Sequence, residues 1–135
     1  MAGSVLDASA LLAYLRDEPG AGRVQDALLS GSEISAVNWA ETLTKLADIG
    51  QDPESTAARL RDEGLLGQLL AIVPFDEAGA LETGRLRRAT RHLKLSLGDR
   101  ACLALGRARG LPVLTTDRRW RSLAVKVKVK VIVLR

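Results

Sequence analysis

Four acidic residues stand where this chain could assemble chemistry: Asp7, Glu41, Asp99 and Asp117. Asp7 closes the apolar run Ser4-Val5-Leu6, and Asp117 closes Val113-Leu114-Thr115-Thr116. Each reads as the last residue of a buried strand. Asp99 opens a helical stretch, and Glu41 lies one turn into another. If the strands share one parallel sheet, Asp7 and Asp117 emerge at the same edge, where open α/β sheets bind ligands. No cation in the sequence obviously pairs with the set. Unpaired carboxylates held together are costly unless a metal ion neutralises them.

Singly, each acid has an ordinary explanation. Asp7 could cap the helix that Ser9 begins. Ser96 and Asp99 have capping-box spacing, with Asp in place of Glu or Gln. Asp117 could end a strand in a turn. Glu41 shares a helix face with Asn38, Lys45 and Asp48. Their joint placement argues for a site. Three fall at strand ends or helix starts facing one edge, Glu41 can reach it, and Asn38 projects to the same side one turn earlier.

Competing chemistries lack their residues. His92 is the only histidine and Cys102 the only cysteine, so a zinc site of nitrogen and sulfur ligands is excluded. Oxygen ligands point to Mg²⁺ or Mn²⁺. His92 lies among Arg88, Arg91 and Lys94 and reads as a surface residue. Cys102 falls in the apolar run Ala101–Leu105 and reads as core. There is no Gly-x-Ser-x-Gly, no Walker-type loop, and Gly20-Ala21-Gly22 lacks the third glycine of a dinucleotide fingerprint. No apolar stretch reaches membrane-spanning length. Asp7 interrupts the first apolar run and no basic n-region precedes it, so no signal peptide and a cytoplasmic location are expected.

The net charge of +4 conceals an asymmetry. Residues 1–84 carry 14 acids and 5 Lys/Arg, a net of −9, whereas residues 85–135 carry 2 acids and 15 Lys/Arg, a net of +13. Those two acids are Asp99 and Asp117. Such polarity within one domain suggests a polyanion partner for the basic face.

Strand-like and helical segments alternate without a linker, which predicts one α/β domain over residues 1–135 with a parallel sheet. Strands are expected at Val5-Leu6, Glu33–Ser35, Ala71–Val73, Leu111–Leu114 and Val125–Leu134, the last from its Val/Lys alternation. Helices are expected at Ser9–Leu15, 21–29, 37–49, from Asp52-Pro53 to near Gly64, as one long basic helix over 76–92, and from Ser96 to Gly110. A turn or short helix follows around Arg118 to Ser122.

The pieces Val5-Leu6-Asp7-Ala8-Ser9-Ala10-Leu11-Leu12, Ser35-Ala36-Val37-Asn38-Trp39-Ala40-Glu41, Leu95–Leu105 and Leu111–Asp117, in this order and spacing, resemble PIN-domain ribonucleases of the VapC toxin type. The resemblance spans nearly the whole chain. It implies a three-layer α/β/α fold with a central, mostly parallel sheet of about five strands. It implies Mg²⁺- or Mn²⁺-dependent endoribonuclease activity on structured RNA such as tRNA or rRNA. Asp7, Glu41, Asp99 and Asp117 would be the catalytic and metal-holding acids, supported by Thr115, Ser9 and Asn38. It implies a homodimer and a cognate VapB-type antitoxin. A further acid that some relatives carry shortly after the last one is replaced here by Arg118 and Arg119. Arg85, Arg87, Arg88, Arg91, Arg100 and Arg118 are the candidates for RNA phosphates. The rival readings are a non-catalytic RNA-binding module and another Mg²⁺-dependent phosphotransfer enzyme on the same fold.

Overall fold

The computed structural model describes residues 3–135. Five strands, β1 (Val5–Leu6), β2 (Ser32–Ser35), β3 (Leu70–Val73), β4 (Val113–Thr115) and β5 (Val131–Val133), form one parallel sheet in the order β3-β2-β1-β4-β5. From β1 the chain builds outward through β2 to β3, then crosses back to place β4 on the other side of β1. The order therefore reverses between β1 and β4, the kind of switch point at whose carboxyl-end edge open α/β sheets bind ligands. Val5 aligns with Val113 and Leu6 with Leu114, which brings both strand ends to one level.

The period-two alternation of the strands divides the core. Leu6, Ile34 and Leu114 face a cluster with Leu11, Val24, Leu28 and Leu60. Val5 and Val113 face the opposite way, into Cys102, Leu103, Trp120 and Leu123. The first cluster is covered by α1 (Ala8–Leu15), α2 (Ala21–Leu29) and α4 (Pro53–Asp62), and the second chiefly by α7 (Leu97–Arg109). Each fully buried Leu or Val contributes roughly 1.5–3 kcal/mol, so both faces of the short strands are anchored. The result is the three-layer α/β/α arrangement expected from the sequence. Cys102 is buried and free, as its apolar run predicts.

Local signals set the helix ends. Asp52 accepts from Ser55 N with Pro53 at the first position of α4. α3 (Ala36–Asp48) is capped by Ser35. Ser96 and Asp99 form a reciprocal capping box at the start of α7, and Gly110 ends it at φ 65°, a conformation that costs glycine little.

Four boundaries differ from expectation. α1 begins at Ala8, one residue before the expected start at Ser9, and Asp7 caps it. The strand before Asp117 begins at Val113 and stops at Thr115, so Asp117 sits two residues beyond its end. The basic stretch is not one helix. α5 (Glu77–Arg85) breaks at Leu86, α6 (Arg87–Thr90) follows, and a 3-10 turn covers Arg91–Leu93. Leu86 and Thr90 are pulled inward while Arg87, Arg88, Arg91 and His92 stay exposed. Gly79 and Gly84 leave α5 too weak to resist the break. The Val/Lys alternation does not make a long strand either. A 3-10 turn, Arg118–Leu123, runs into α8 (Ala124–Val127), Lys128 turns the chain at φ 56°, and only Val131–Val133 pairs with β4. Burial of Trp120, Leu123 and Val127 decides that segment, because an edge strand has only one neighbour to reward extension.

Candidate active site

Asp7 leaves β1 at the switch point and is buried. Its Oδ1 caps α1 by accepting from Ala10 N at 2.8 Å, and also accepts from Ser9 Oγ at 2.7 Å. Its Oδ2 accepts from Thr115 Oγ1 at 2.5 Å. Both hydroxyls work in two directions, which only a group that donates and accepts can do. Ser9 Oγ accepts from Thr116 N at 3.0 Å, and Thr115 Oγ1 accepts from Asp117 N at 3.1 Å. The loop carrying Asp117 is thereby pinned to the carboxylate of Asp7. Burial raises the Asp7 pKa from 3.8 to about 6, opposed by the Thr115, Ser9 and Ala10 hydrogen bonds and aided slightly by the charge of Asp99.

Asp99 lies in the first turn of α7, where its Oδ2 accepts from Ser96 N at 3.1 Å. Glu41 reaches the same place from α3. Asn38 Nδ2 donates to Glu41 Oε1 at 2.8 Å and to the Gly98 carbonyl at 2.9 Å, so one buried amide ties α3 to the start of α7. The Glu41 carboxylate lies on the bare Cα of Gly98, and a Cβ there would overlap it. Asp7, Asp99 and Glu41 all add to the upward push that burial gives the Cys102 thiol.

Asp117 is held by a cation that sequence inspection missed. Arg119 Nε lies 3.0 and 3.1 Å from its two oxygens, Arg119 Nη2 donates to Oδ2 at 2.6 Å, and Arg119 N donates to Oδ1 at 2.9 Å. The guanidinium keeps the Asp117 carboxyl below the usual range. The Trp120 indole N–H is buried with no hydrogen-bond partner among the described residues. The expectation that no cation pairs with the acids is therefore corrected: Arg119 does, through a turn of two residues. The signal was present, because an arginine that close to a loop acid can fold back, but nothing in the sequence fixes its direction. Gly98 was equally invisible. Beside Asp99 it reads only as a weak helix start until α3 is placed against it.

The donor chemistry suits a hard divalent cation. All four candidate ligands offer carboxylate oxygen, Cys102 is kept protonated, and His92 is exposed. Asn38 Oδ1 is buried beside Glu41 with no partner among the described residues. Yet among those residues no three acids, histidines or cysteines are gathered as a ligand set. Each carboxylate is occupied by its own local donors.

The basic candidates divide. Arg87, Arg88 and Arg91 are exposed. Arg85 is exposed and pairs with Glu82 at 2.5 Å. Arg118 is exposed and donates to the Arg135 carbonyl at 3.0 Å. Arg100 is half-buried, donates from Nη1 to the Thr83 carbonyl at 3.1 Å, and joins α7 to α5.

The PIN domain family model matches residues 4–126. The chain belongs to the PIN-domain family. Solved structures share its fold. A toxin–antitoxin complex from Klebsiella pneumoniae is 19% identical over 98% of each chain, with a TM-score of 0.71. A DNA-bound VapBC from Salmonella typhimurium is 17% identical over the full length of both chains, with a TM-score of 0.71. VapC20 of Mycobacterium tuberculosis, a sarcin-ricin loop cleaving toxin, is 14% identical over 89% of this chain and 94% of its own, with a TM-score of 0.68. No match is found among curated proteins. In this PIN domain, no helix among the described residues is long and apolar enough to cross a membrane.

Proposed function

We propose that residues 1–135 form one nuclease domain, a VapC-type toxin that cleaves structured RNA such as tRNA or rRNA with Mg²⁺ or Mn²⁺. The observation that carries this reading is the linkage at the switch-point end of a PIN sheet, where Thr115 bonds the Asp7 carboxylate and the Asp117 amide, together with the Glu41 carboxylate seated on Gly98 next to Asp99. The fold shared with toxin–antitoxin complexes supports the toxin assignment, and likeness to a toxin that cleaves the sarcin-ricin loop supports RNA as substrate.

Asp7, Asp99, Asp117 and Glu41 would hold the ion, which when bound would polarise a phosphate and acidify a water. Ser9 and Thr115 orient Asp7, and Asn38 orients Glu41. Exposed Arg87, Arg88 and Arg91, with Arg85 and Arg118, would neutralise flanking phosphates, giving affinity without base reading. Arg100 would act from its half-buried position by holding α5 and α7 together. A VapB-type antitoxin would silence the site with a cation, Arg above Lys because its fork matches a carboxylate. A homodimer and a cytoplasmic location complete the proposal.

The test is incubation of the purified chain with total RNA in Mg²⁺ or EDTA, followed by sequencing of new ends. Cleavage at defined positions in Mg²⁺ alone, lost in Glu41→Gln, is the expected result. RNA binding without cleavage in either ion would establish the non-catalytic reading instead.

A further inference from the structure

Arg119 touches two parts of the molecule at once. Nε and Nη2 hold both oxygens of Asp117, while Nη1 donates to the Leu93 carbonyl at 2.9 Å. Leu93 closes the 3-10 turn that carries Arg91 and follows the α6 arginines. The guanidinium therefore sits on the seam between the acidic end of the sheet and the exposed basic stretch. Half of its side chain, 51%, remains exposed. An exposed ion pair is weak and exchanges readily, unlike a buried clamp. The two non-bridging oxygens of a phosphodiester can take a guanidinium bidentately, as a carboxylate does. While Arg119 rests on Asp117, both carboxylate oxygens are taken, in keeping with the lack of a gathered ligand set among the described residues.

We infer that Arg119 is a substrate-positioning residue. It pairs with Asp117 and passes its guanidinium to an RNA phosphate on binding, which uncovers Asp117. The inference deepens the proposed function and rests on RNA being the substrate. The basic stretch delivers the strand to the seam, and the phosphate outcompetes Asp117 because it arrives already held by Arg87, Arg88 and Arg91. A purely structural clamp between the loop after β4 and the 3-10 turn would show none of the coupling this requires.

The test uses the whole chain without metal, so no cleavage intervenes, and a labelled oligouridylate read by fluorescence anisotropy across a salt series. Arg119→Ala should lower the slope of log affinity against log salt by about 0.7, the value of one single-strand phosphate contact. Asp117→Asn should tighten binding several-fold, because Arg119 is then released. The double variant decides the cause. If Asp117→Asn acts through Arg119, its gain disappears in the Arg119→Ala background. If it merely removes repulsion of phosphate, the gain persists there, and the inference is overturned. An unchanged salt slope in Arg119→Ala overturns it as well. Arg119→Lys should keep the slope and only part of the gain, and Arg119→Gln, which removes the charge but keeps most of the side chain, carries the arms of Arg119→Ala where that variant does not fold. Wild type that binds neither this oligomer nor bulk tRNA at low salt overturns the RNA reading itself. Binding by wild type with an additive cycle overturns only the role of Arg119.

Discussion

Replacing Asp7 by Asn should remove a specific slope from the pH dependence of stability. Asp7 is buried, and burial lifts its pKa from 3.8 to about 6. At about 1.4 kcal/mol per pH unit, that lift corresponds to about 3 kcal/mol. The sign follows from proton binding. Between 3.8 and about 6 the folded chain holds a proton on Asp7 that the unfolded chain has released. Stability from this group is therefore full below 3.8 and lost as pH rises through about 6. An amide at position 7 does not titrate. It keeps an acceptor for Ala10 N and Ser9 Oγ but turns a donor toward Thr115 Oγ1. That hydroxyl already accepts from Asp117 N, so its own proton loses its partner at a cost of up to about 1 kcal/mol. This cost is independent of pH and shifts the difference between the two proteins without tilting it.

The assay is urea unfolding of metal-free wild type and Asp7→Asn at a series of pH values. Taking the difference cancels the other titrating groups. Wild type should lose about 3 kcal/mol relative to Asp7→Asn across the window, and the variant should be the more stable protein at neutral pH. A flat difference would mean that Asp7 is solvated in solution. A difference that favours wild type as pH rises would mean that the three hydrogen bonds outweigh burial. Either result defeats the reasoning.

Gly98→Ala separates position from stability. Alanine gains roughly 1 kcal/mol of helix propensity, the displaced Glu41 carboxylate forfeits about the same through its Asn38 bond, and melting should barely change. RNA cleavage should fall on the order of 100-fold from the misplacement, and wild-type turnover would show that the seat of Glu41 on Gly98 is immaterial. Asp99→Ala in metal-free protein should lower stability by about 1 kcal/mol through loss of the capping box. A higher melting temperature would mean that repulsion from Asp7 outweighs the cap.

What the sequence disclosed and what it hid differ in physical kind. Val5-Leu6 and Val113-Leu114 each offer one apolar residue to either face of the sheet, and a short run buried on both sides between turns has few other places to go. The end of the first strand at Asp7 followed from that, whereas the strand before Asp117 stops at Thr115, two residues short of the acid. The capping signals at Asp52-Pro53 and at Ser96 with Asp99 are local and equally legible. The break at Leu86 and the failure of the Val/Lys alternation were not. Both depend on whether a distant surface, around Trp120 and Leu123, rewards burial more than regular hydrogen bonding does. The fold-back of Arg119 belongs to the same class, because its rotamer answers to Leu93, 26 residues away in sequence.

The acids themselves change the meaning of that first sequence argument. From the sequence alone, four carboxylates at one sheet end require a metal ion to be tolerated. In the folded chain each has its own donors: Asp7 has two hydroxyls and a backbone amide, Glu41 has Asn38, Asp99 has the Ser96 amide, and Asp117 has Arg119. The two acids joined by the Thr115 hydroxyl are also pushed in opposite directions, Asp7 toward retaining its proton and Asp117 away from it. Local satisfaction lets the fold carry the acids without any ion. The case for a metal then rests on chemistry rather than on folding, and an ion that binds must take oxygens away from partners already in place.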